Sequence, residues 1–458
     1  MRTRRIREPI DMCNGAIIPQ LLRFSLPMMF TSVLQLLYNT ADLVVIGNFA
    51  GDTALAAVGA NSSLVSLFIN LIIGLSIGTN VVIAQTLGAE EHKRARSLAH
   101  SALIIAALCG VALSAVCLVF AEKILILMST PADVLPAATV YLRILACGFP
   151  FNLLYNFAAS ILRACGDPKK PLYFLLVSGA LKIALNLLFV ALLHIDVVGV
   201  ALATIISQLL SAILAVIALS HMHNPCRLHI KDLKLNKEDV KHILKIGIPA
   251  GIQSACFSLA NVVIQSAING FGTVAIAGNT AGYNLECFVF AFIDAGSQAC
   301  LSFVGRNVGA KRYDRVPRII GAALLICGVI TVVLAGLLVI FPTFFLSFYT
   351  SDPAVIAAGT LRNYIVCTPY LLVVFLYIYS YSLRAMGYST LPMLICVGGV
   401  CGVRLLFVFT VLKKFHYLQT LFASFPISWI VSFIAVFIAY RILYRRQANK
   451  VKEELLEA

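Results

Sequence analysis

The stretch LLRFSLPMMFTSVLQLLYNTADLVVIGNFAG, residues 21–51, is almost entirely apolar and is long enough to cross a lipid bilayer. Asp42 lies deep in its second half, where burying a charge costs about 2.5–3.5 kcal/mol or more. Gln35, Tyr38 and Asp42 are spaced three and four residues apart, so they share one face of a helix, next to Asn39. A polar face on a membrane helix points towards protein or water rather than lipid. The stretch therefore predicts a membrane helix whose acid has a dedicated role.

The composition of the whole chain is that of a membrane protein. Of its 458 residues, 60% are hydrophobic and only 12% are charged, whereas soluble domains carry about 25% charged residues. The net charge of +15 comes from basic residues dispersed over short loops, so we expect no nucleic-acid partner. The 13 cysteines are scattered without ligand-like spacing, so no disulfide framework, metal site or cofactor is expected.

About twelve apolar runs are each long enough to span a bilayer, which predicts an all-α integral membrane fold. They lie at 18–46, 53–86, 97–120, 135–163, 169–193, 197–220, 240–268, 275–304, 316–346, 355–385, 390–413 and 416–443. Lysine and arginine concentrate near both termini and in the loops that follow even-numbered spans. The positive-inside rule therefore places both termini in the cytoplasm of a multi-pass protein of the inner (plasma) membrane.

Three blocks of sequence repeat in order at a nearly constant offset. LLRFSLP at 21–27 matches ILKIGIP 222 residues later, and the blocks at 84–96 and 160–171 recur 221 residues later. With six spans per repeat, the two halves keep the same orientation and predict two parallel six-helix bundles, as in many secondary transporters. The predicted segments are a cytoplasmic N-terminal segment at 1–17, bundles at 18–222 and 240–443, a cytoplasmic linker at 223–239, and a cytoplasmic tail at 444–458.

Several polar pairs in the first bundle have the i, i+4 spacing that places them on one helix face. They are Asn152 with Asn156 on the fourth span, Lys182 with Asn186 on the fifth, and Thr204 with Gln208 on the sixth. If these faces meet the face of Asp42, they form either a cation pocket or a structural network.

The second bundle carries its own intramembrane charges. Glu286 and Asp294 lie eight residues apart on the eighth span and hence on one face, and Arg404 is a candidate to neutralise either acid. At the repeat offset of 222, Ile264 takes the place of Asp42. A candidate coupling acid therefore remains in only one of the two first helices.

The motifs resemble those of the multidrug and toxic compound extrusion (MATE) family over essentially the full length. The resemblance rests on Pro27, on Gln35, on the block NTADLVVIGNFAGDTALAAVG at 39–59, on the loops LGA at 87–89 and VGA at 308–310, and on LRACGDPKKP at 162–171. It implies two bundles around a central cleft, and export of amphipathic, often cationic compounds in exchange for inward Na⁺ or H⁺. The two similar bundles themselves predict alternating access by rocking about the cleft. We expect membrane lipids as surroundings and a monomer as the working unit.

The resemblance also implies site residues. Asp42 corresponds to the first-helix coupling acid, and Thr204 to a sixth-helix threonine of the family. A fifth-helix motif of the form Asn-x-x-Leu-Asp-Pro corresponds here to KIALNL, with Lys182 for the Asn, Asn186 for the Asp and Leu187 for the Pro. A lysine ammonium beside Asp42 would compete with Na⁺ for the carboxylate. This predicts either that the site couples to protons or that the ammonium takes the place of the bound ion altogether. Apart from that coupling ion, no metal or cofactor is implied.

Several alternatives stay open from the sequence. A second set of family acids, on the seventh and tenth helices, is replaced by Phe257 and Val373. A flippase for lipid-linked precursors or oligosaccharides belongs to the same superfamily, but only Lys182 and Arg404 offer basic groups for its cargo. A membrane-embedded enzyme would need clustered His, Asp and Glu residues, which the sequence lacks, so no enzymatic activity is expected. A channel is disfavoured by the duplicated halves.

Overall fold

Membrane spans form helices because lipid offers no partner for backbone N–H and C=O groups, so each segment must satisfy its own. The computed structural model describes residues 10–128, 130–229, 231 and 233–457, and within these ranges the regular structure is helical, without strands. In the described part of the chain, eleven helical spans are long and apolar enough to cross a membrane, and a bent pair of helices makes a twelfth when it is counted as one span. The prediction of an all-α membrane fold with about twelve spans is confirmed.

The helices follow the predicted runs, and some of them extend several residues beyond, whereas the predicted run 316–346 is divided between two helices. The first half contains α1 Ile17–Phe49, α2 Gly51–Gly88, α3 His92–Leu127, α4 Leu135–Ala164, α5 Lys169–Asn186 and α6 Asp196–Ser220. The second half contains α7 Lys237–Asn269, α8 Thr273–Gly309, α9 Val316–Ile340, α10 Pro342–Leu346, α11 Pro353–Cys367, α12 Leu371–Ala385, α13 Thr390–Cys396, α14 Val403–Phe409, α15 Val411–Lys414 and α16 Leu418–Glu457.

The fifth span of each half contains a π-helical turn. In the first half Leu187–Leu192 continues α5, and in the second half Val397–Gly402 joins α13 to α14. Such wide turns occur mostly as local insertions into α-helices and are frequent at functional sites.

The tenth span is broken, although its apolar run predicts one continuous helix. Its two parts, α11 and α12, meet at an angle of 49°. Pro369 lies in the break, and a proline both removes an N–H donor and collides with the preceding turn, which bends or ends a helix.

The chain divides into two compact units whose limits differ from the predicted bundles. Unit 1 holds Leu26–Gly247 with the described residues of Met1–Gly15, and unit 2 holds Ala16–Ser25 and Ile248–Ala458. The division falls just before Pro27 in α1 and just before Pro249 in α7, two positions related by the repeat offset. Of the predicted cytoplasmic N-terminal segment, residues 1–9 lie outside the described residues.

The predicted linker joins unit 1 through hydrogen bonds to α3. The Ser97 hydroxyl donates to an Asp239 carboxylate oxygen at 2.5 Å, the Asn236 N–H donates to the Ser101 hydroxyl at 3.1 Å, and the His229 N–H lies 3.3 Å from Nε2 of His100. These contacts attach the described residues between 229 and 239 to α3, in agreement with the end of unit 1 at Gly247.

Within unit 1, α2 and the start of α7 approach so closely that only glycine fits at their crossing. A Cβ on Gly78 would lie 2.8 Å from the backbone nitrogen of Gly247, and one on Gly247 would lie 2.7 Å from the carbonyl oxygen of Leu75. Both distances are shorter than van der Waals contact and involve backbone atoms, which cannot rotate away. The missing side chains therefore set the spacing of the two helices.

We expect Gly247→Ala to destabilise the protein by about 1–3 kcal/mol, since overpacking at a rigid contact outweighs the gain in helix propensity of up to about 1 kcal/mol. The thermal midpoint of the purified protein in detergent, followed by intrinsic fluorescence, measures this effect. Gly336→Ala is the matched control, because no atom lies within 4 Å of a Cβ at that position in α9. Equal midpoints for the two variants would contradict the close-crossing interpretation.

Candidate functional site

The buried acid of α1 contacts two residues of α5. The Lys182 ammonium lies 2.5 Å from Oδ2 of Asp42, and Nδ2 of Asn186 donates to Oδ1 of Asp42 at 2.7 Å. The Lys182 and Asp42 side chains are only 12% and 16% exposed. Each oxygen of the carboxylate thus has one donor, and an ion pair compensates its charge.

Local sequence explains why the two helices present these groups to each other. Tyr38 and Asp42 are one turn apart on α1, and the Tyr38 ring lies where a Cβ of Gly179 would be, so glycine admits the ring against α5. Gln35 and Asn39, the other two residues predicted for this polar face, are exposed. The polar face predicted for α1 is therefore divided between a contact with α5 and an exposed part.

Asn186 leaves one strong acceptor unused. Its side chain is fully buried, its amide nitrogen is bonded to Asp42, and its Oδ1 has no hydrogen-bond partner among the described residues. A buried carbonyl oxygen without a partner costs about 1–3 kcal/mol. Beside the two oxygens of Asp42, it adds the kind of oxygen donor that a hard cation or a water molecule takes.

The remaining predicted residues of the first half form no hydrogen bond to Asp42 in the described part of the chain. Asn156 Nδ2 donates to the Asn152 side-chain oxygen at 2.8 Å and to its backbone oxygen at 2.9 Å, so this pair satisfies itself within α4. The backbone oxygen of Thr204 accepts from a serine on the next turn. Gln208 lies against α4. The structure thus brings Lys182 and Asn186 to the acid, whereas none of these four residues has a hydrogen bond to it in the described part of the chain.

In unit 2, the partner of Glu286 is Arg362, not Arg404. The Arg362 guanidinium pairs with Oε2 of Glu286, and the Tyr370 hydroxyl donates to Oε1 at 3.0 Å. Arg362 is 1% exposed, and its Nε donates to Asn279 at 2.9 Å. Arg404, a candidate partner from the sequence, forms no ion pair with Glu286 in the described part of the chain. Instead, Arg362 of α11 and Tyr370, which follows the bend in the tenth span, contact Glu286 on α8.

Asp294 and Arg404 each have other partners. Asp294 accepts from the Tyr381 hydroxyl at 2.7 Å and from the Gln298 amide at 2.7 Å. Arg404 donates through Nε to the Ser428 hydroxyl at 3.0 Å. Neither forms an ion pair with the other or with any charged group that the structure describes.

No group of three His, Cys, Asp or Glu residues suited to a metal ion occurs within the described ranges. None of the 13 cysteines, all of which lie in the described part of the chain, forms a disulfide, and most of them are buried.

Comparison with known families and proteins gives consistent matches. The family model described as MatE matches residues 27–188 and again 249–410. The two matches are 222 residues apart, which confirms the internal repeat.

Curated relatives match most of the chain. The chain is 28% identical over 421 residues to "Probable multidrug resistance protein YoeA" of Bacillus subtilis (strain 168), covering 89% of this chain and 90% of the relative. It is 30% identical over 308 residues to YpnP, a second protein of that strain with the same description, covering 67% and 68%. It is also 24% identical over 347 residues to "Multidrug export protein MepA" of Staphylococcus aureus (strain NCTC 8325 / PS 47), covering 76% and 77%.

Solved structures share the fold at low sequence identity. One is described as the outward-facing conformation of a multidrug resistance MATE family transporter of the MOP superfamily, with a TM-score of 0.88, 22% identity, and coverage of 96% of this chain and 99% of that one. Another, a MOP superfamily transporter from Pyrococcus furiosus, has a TM-score of 0.88 and 21% identity over 97% and 98%.

We expect Arg362→Met to lower the stability of the protein by about 3–5 kcal/mol, because it leaves Glu286 buried as an uncompensated charge. The double variant Arg362→Met with Glu286→Gln should recover most of that loss, since it removes both charges. Thermal unfolding of both variants in the same detergent measures the difference. A double variant no more stable than the single one would show that the ion pair is not what holds these helices.

Proposed function

Because the chain belongs to the MatE family of multidrug and toxic compound extrusion transporters, we propose that it is a secondary active antiporter. It exports amphipathic, often cationic compounds in exchange for inward H⁺ or Na⁺, by alternating access. The relatives named for multidrug resistance and multidrug export support this substrate class. The membership confirms the resemblance seen in the sequence.

The observation that carries the proposal is the contact of Asp42 with Lys182 and Asn186. An acid in a membrane span persists where it is paired or where it takes part in ion movement. Here Asp42 is paired, and the pair links the first and fifth spans of unit 1. A pair between two helices changes the free energy of their packing whenever its charge state changes.

Lys182 favours H⁺ as the coupling ion. Its ammonium lies where a bound cation would compensate Asp42, so Na⁺ must displace a tethered competitor, whereas a proton needs only to neutralise one oxygen. Protonation of Asp42 removes the attraction for Lys182 and frees α1 and α5 to repack. Release of the proton restores the pair. The unused oxygen of Asn186 offers a partner to the freed ammonium, to water, or to Na⁺ if that ion enters.

The flippase alternative has less support. Two of the buried basic residues in the spans, Lys182 and Arg362, already pair with carboxylates. The diphosphate of a lipid-linked precursor would need several free cationic groups near each other. The similarity to proteins named for drug resistance points the same way.

The central experiment is transport of a fluorescent cation into proteoliposomes, with a Na⁺ gradient and a pH gradient imposed separately. The proposal expects the wild-type protein to accumulate the dye against its gradient when the lumen is acidic, and less or not at all with Na⁺ alone. If neither gradient drives transport, the antiporter proposal is wrong.

We expect Asp42→Asn to abolish gradient-driven transport while the protein still folds, because an amide neither binds the coupling proton nor pairs with Lys182. Transport in proteoliposomes measures the loss of activity, and the thermal midpoint of the same preparation shows whether the variant is folded. Asp133→Asn, in an exposed loop, is the control and should transport like the wild type. Retained ion-driven transport in the Asp42 variant would remove this residue from the mechanism.

Lys182→Asn should shift ion preference towards Na⁺, because it removes the tethered competitor and leaves two amide oxygens and a carboxylate. Transport rates are measured as functions of external Na⁺ concentration and of external pH. The ion preference is the ratio of the Na⁺-driven rate to the H⁺-driven rate. An unchanged Na⁺ dependence together with an unchanged pH profile would limit Lys182 to a structural role.

A further inference from the structure

The last helix of unit 2, α16, is longer than a membrane span requires. Its 40 residues extend over about 60 Å, whereas the hydrocarbon core of a bilayer is about 30 Å thick. Its apolar part ends near Ile442, and the residues that follow are mostly polar or charged. About 20 Å of helix therefore continues past the apolar part.

One face of this extension is held by hydrogen bonds to two interhelical connections of unit 2. Nε2 of Gln447 donates to the carbonyl oxygen of Met386 at 3.4 Å and to the Tyr388 hydroxyl at 3.2 Å. Oε1 of Gln447 accepts from the Tyr313 hydroxyl at 3.0 Å, and the Tyr444 hydroxyl donates to the carbonyl oxygen of Tyr313 at 3.1 Å. Rotation of α16 about its axis would break all four bonds.

An ion pair continues the same attachment further along the helix. The Lys311 ammonium lies 2.8 Å from Oε2 of Glu454, which follows Gln447 by seven residues and so shares its face. Lys311 and Tyr313 belong to the connection between α8 and α9, and Met386 to that between α12 and α13. The attachment therefore fixes which way the other faces of the extension point.

A different face of α16 carries a row of exposed isoleucines. Ile434, Ile438 and Ile442 follow one another at intervals of four residues and are 51%, 52% and 61% exposed. A contiguous exposed apolar row of this kind on a membrane span faces lipid. Arg441 and Arg445 continue this isoleucine row, since Arg441 follows Ile438 by three residues and Arg445 follows Ile442 by three.

The cations at the end of the isoleucine row have no acid partner. Arg441 and Arg445 are exposed, as is the neighbouring Arg446, and none of them forms an ion pair in the described part of the chain. The Arg441 guanidinium lies over the ring of Phe437, 5.9 Å from its centroid. Uncompensated guanidinium groups thus lie where the lipid-facing surface ends, at the level of the phospholipid headgroups.

We propose that Arg441 and Arg445 bind the phosphate of an anionic phospholipid whose acyl chains lie along the isoleucine row. Guanidinium groups bind phosphate oxygens with two parallel hydrogen bonds. A net negative headgroup also compensates the positive charge, which a zwitterionic headgroup does not. Because the bonds of Tyr444 and Gln447 fix the orientation of α16, little rotational freedom is lost when the lipid binds.

The test titrates purified full-length protein in a neutral detergent with phosphatidylglycerol or with phosphatidylcholine of the same acyl chains. Native mass spectrometry gives the dissociation constant of the first bound lipid. We expect the wild type to bind phosphatidylglycerol about 25-fold more tightly, about fivefold for each arginine. The double variant Arg441→Gln with Arg445→Gln should bind the two lipids within about threefold of each other.

A second double variant, Lys413→Gln with Lys414→Gln, is the matched control. It removes the same charge from two exposed residues just before the other end of α16, and Lys414 also lies over a ring, that of Phe415. It should keep the preference of the wild type for phosphatidylglycerol. The thermal midpoint without added lipid shows whether both double variants are folded.

The proposal is wrong if the wild type does not distinguish the two lipids, or if the arginine variant keeps the preference. It is also wrong if both double variants lose the preference equally, because the lipid would then follow the overall charge. Glycerol phosphate and inorganic phosphate form a separate arm. If either raises the thermal midpoint as much as phosphatidylglycerol, and only when both arginines are present, the site takes a free phosphate instead of a lipid. All these measurements are made without an ion gradient, so they do not depend on the antiporter proposal.

Discussion

A charge inside a membrane span must find a partner, and this constraint organises the interior of both units. In unit 1 the partner of Asp42 comes from the fifth span, and in unit 2 the partner of Glu286 comes from the first part of the tenth. Each pair joins helices that are distant in sequence. Each therefore fixes a tertiary contact that apolar packing alone specifies weakly, since lipid tails compete equally well for leucine and valine faces.

The two repeats share a backbone fold but carry their intramembrane charges at different positions. Leu64, which corresponds to Glu286 at the repeat offset, lies in an apolar cluster with Tyr141 and residues of α1, α2, α4 and α6. Ile264, which corresponds to Asp42, is buried too. Where one half has an ion pair, the other has hydrocarbon. The same fold therefore holds two different ion pairs: Asp42 with Lys182, which is partly accessible, and Glu286 with Arg362, which is more deeply buried.

The sequence predicts local features well because they depend on neighbours along the chain. Apolar runs give the spans, and the spacing of Tyr38 and Asp42 gives the polar face of α1. The i, i+4 spacing of Lys182 and Asn186 predicts a polar face on the fifth span, and the family motif indicates that this face lies beside Asp42. Arg362 was missed as the partner of Glu286, since 76 residues separate them, and no periodicity reports such a pairing. The bend at Pro369 could have been read from the proline, but its consequence, the placement of Tyr370 beside Glu286, depends on three-dimensional packing.

A loop that joins two repeats is usually regarded as a flexible tether whose length limits their separation. Here the connecting residues are hydrogen-bonded along α3, and the chain passes from unit 1 to unit 2 inside α7, between Gly247 and Ile248. The covalent connection is thus a continuous helix, and α1 makes the reciprocal passage between Ser25 and Leu26. A helix transmits bending and twisting moments that a loop would dissipate. A proline stands beside each passage, at Pro27 and Pro249, and it removes a backbone hydrogen bond at the place where the helix enters the other unit.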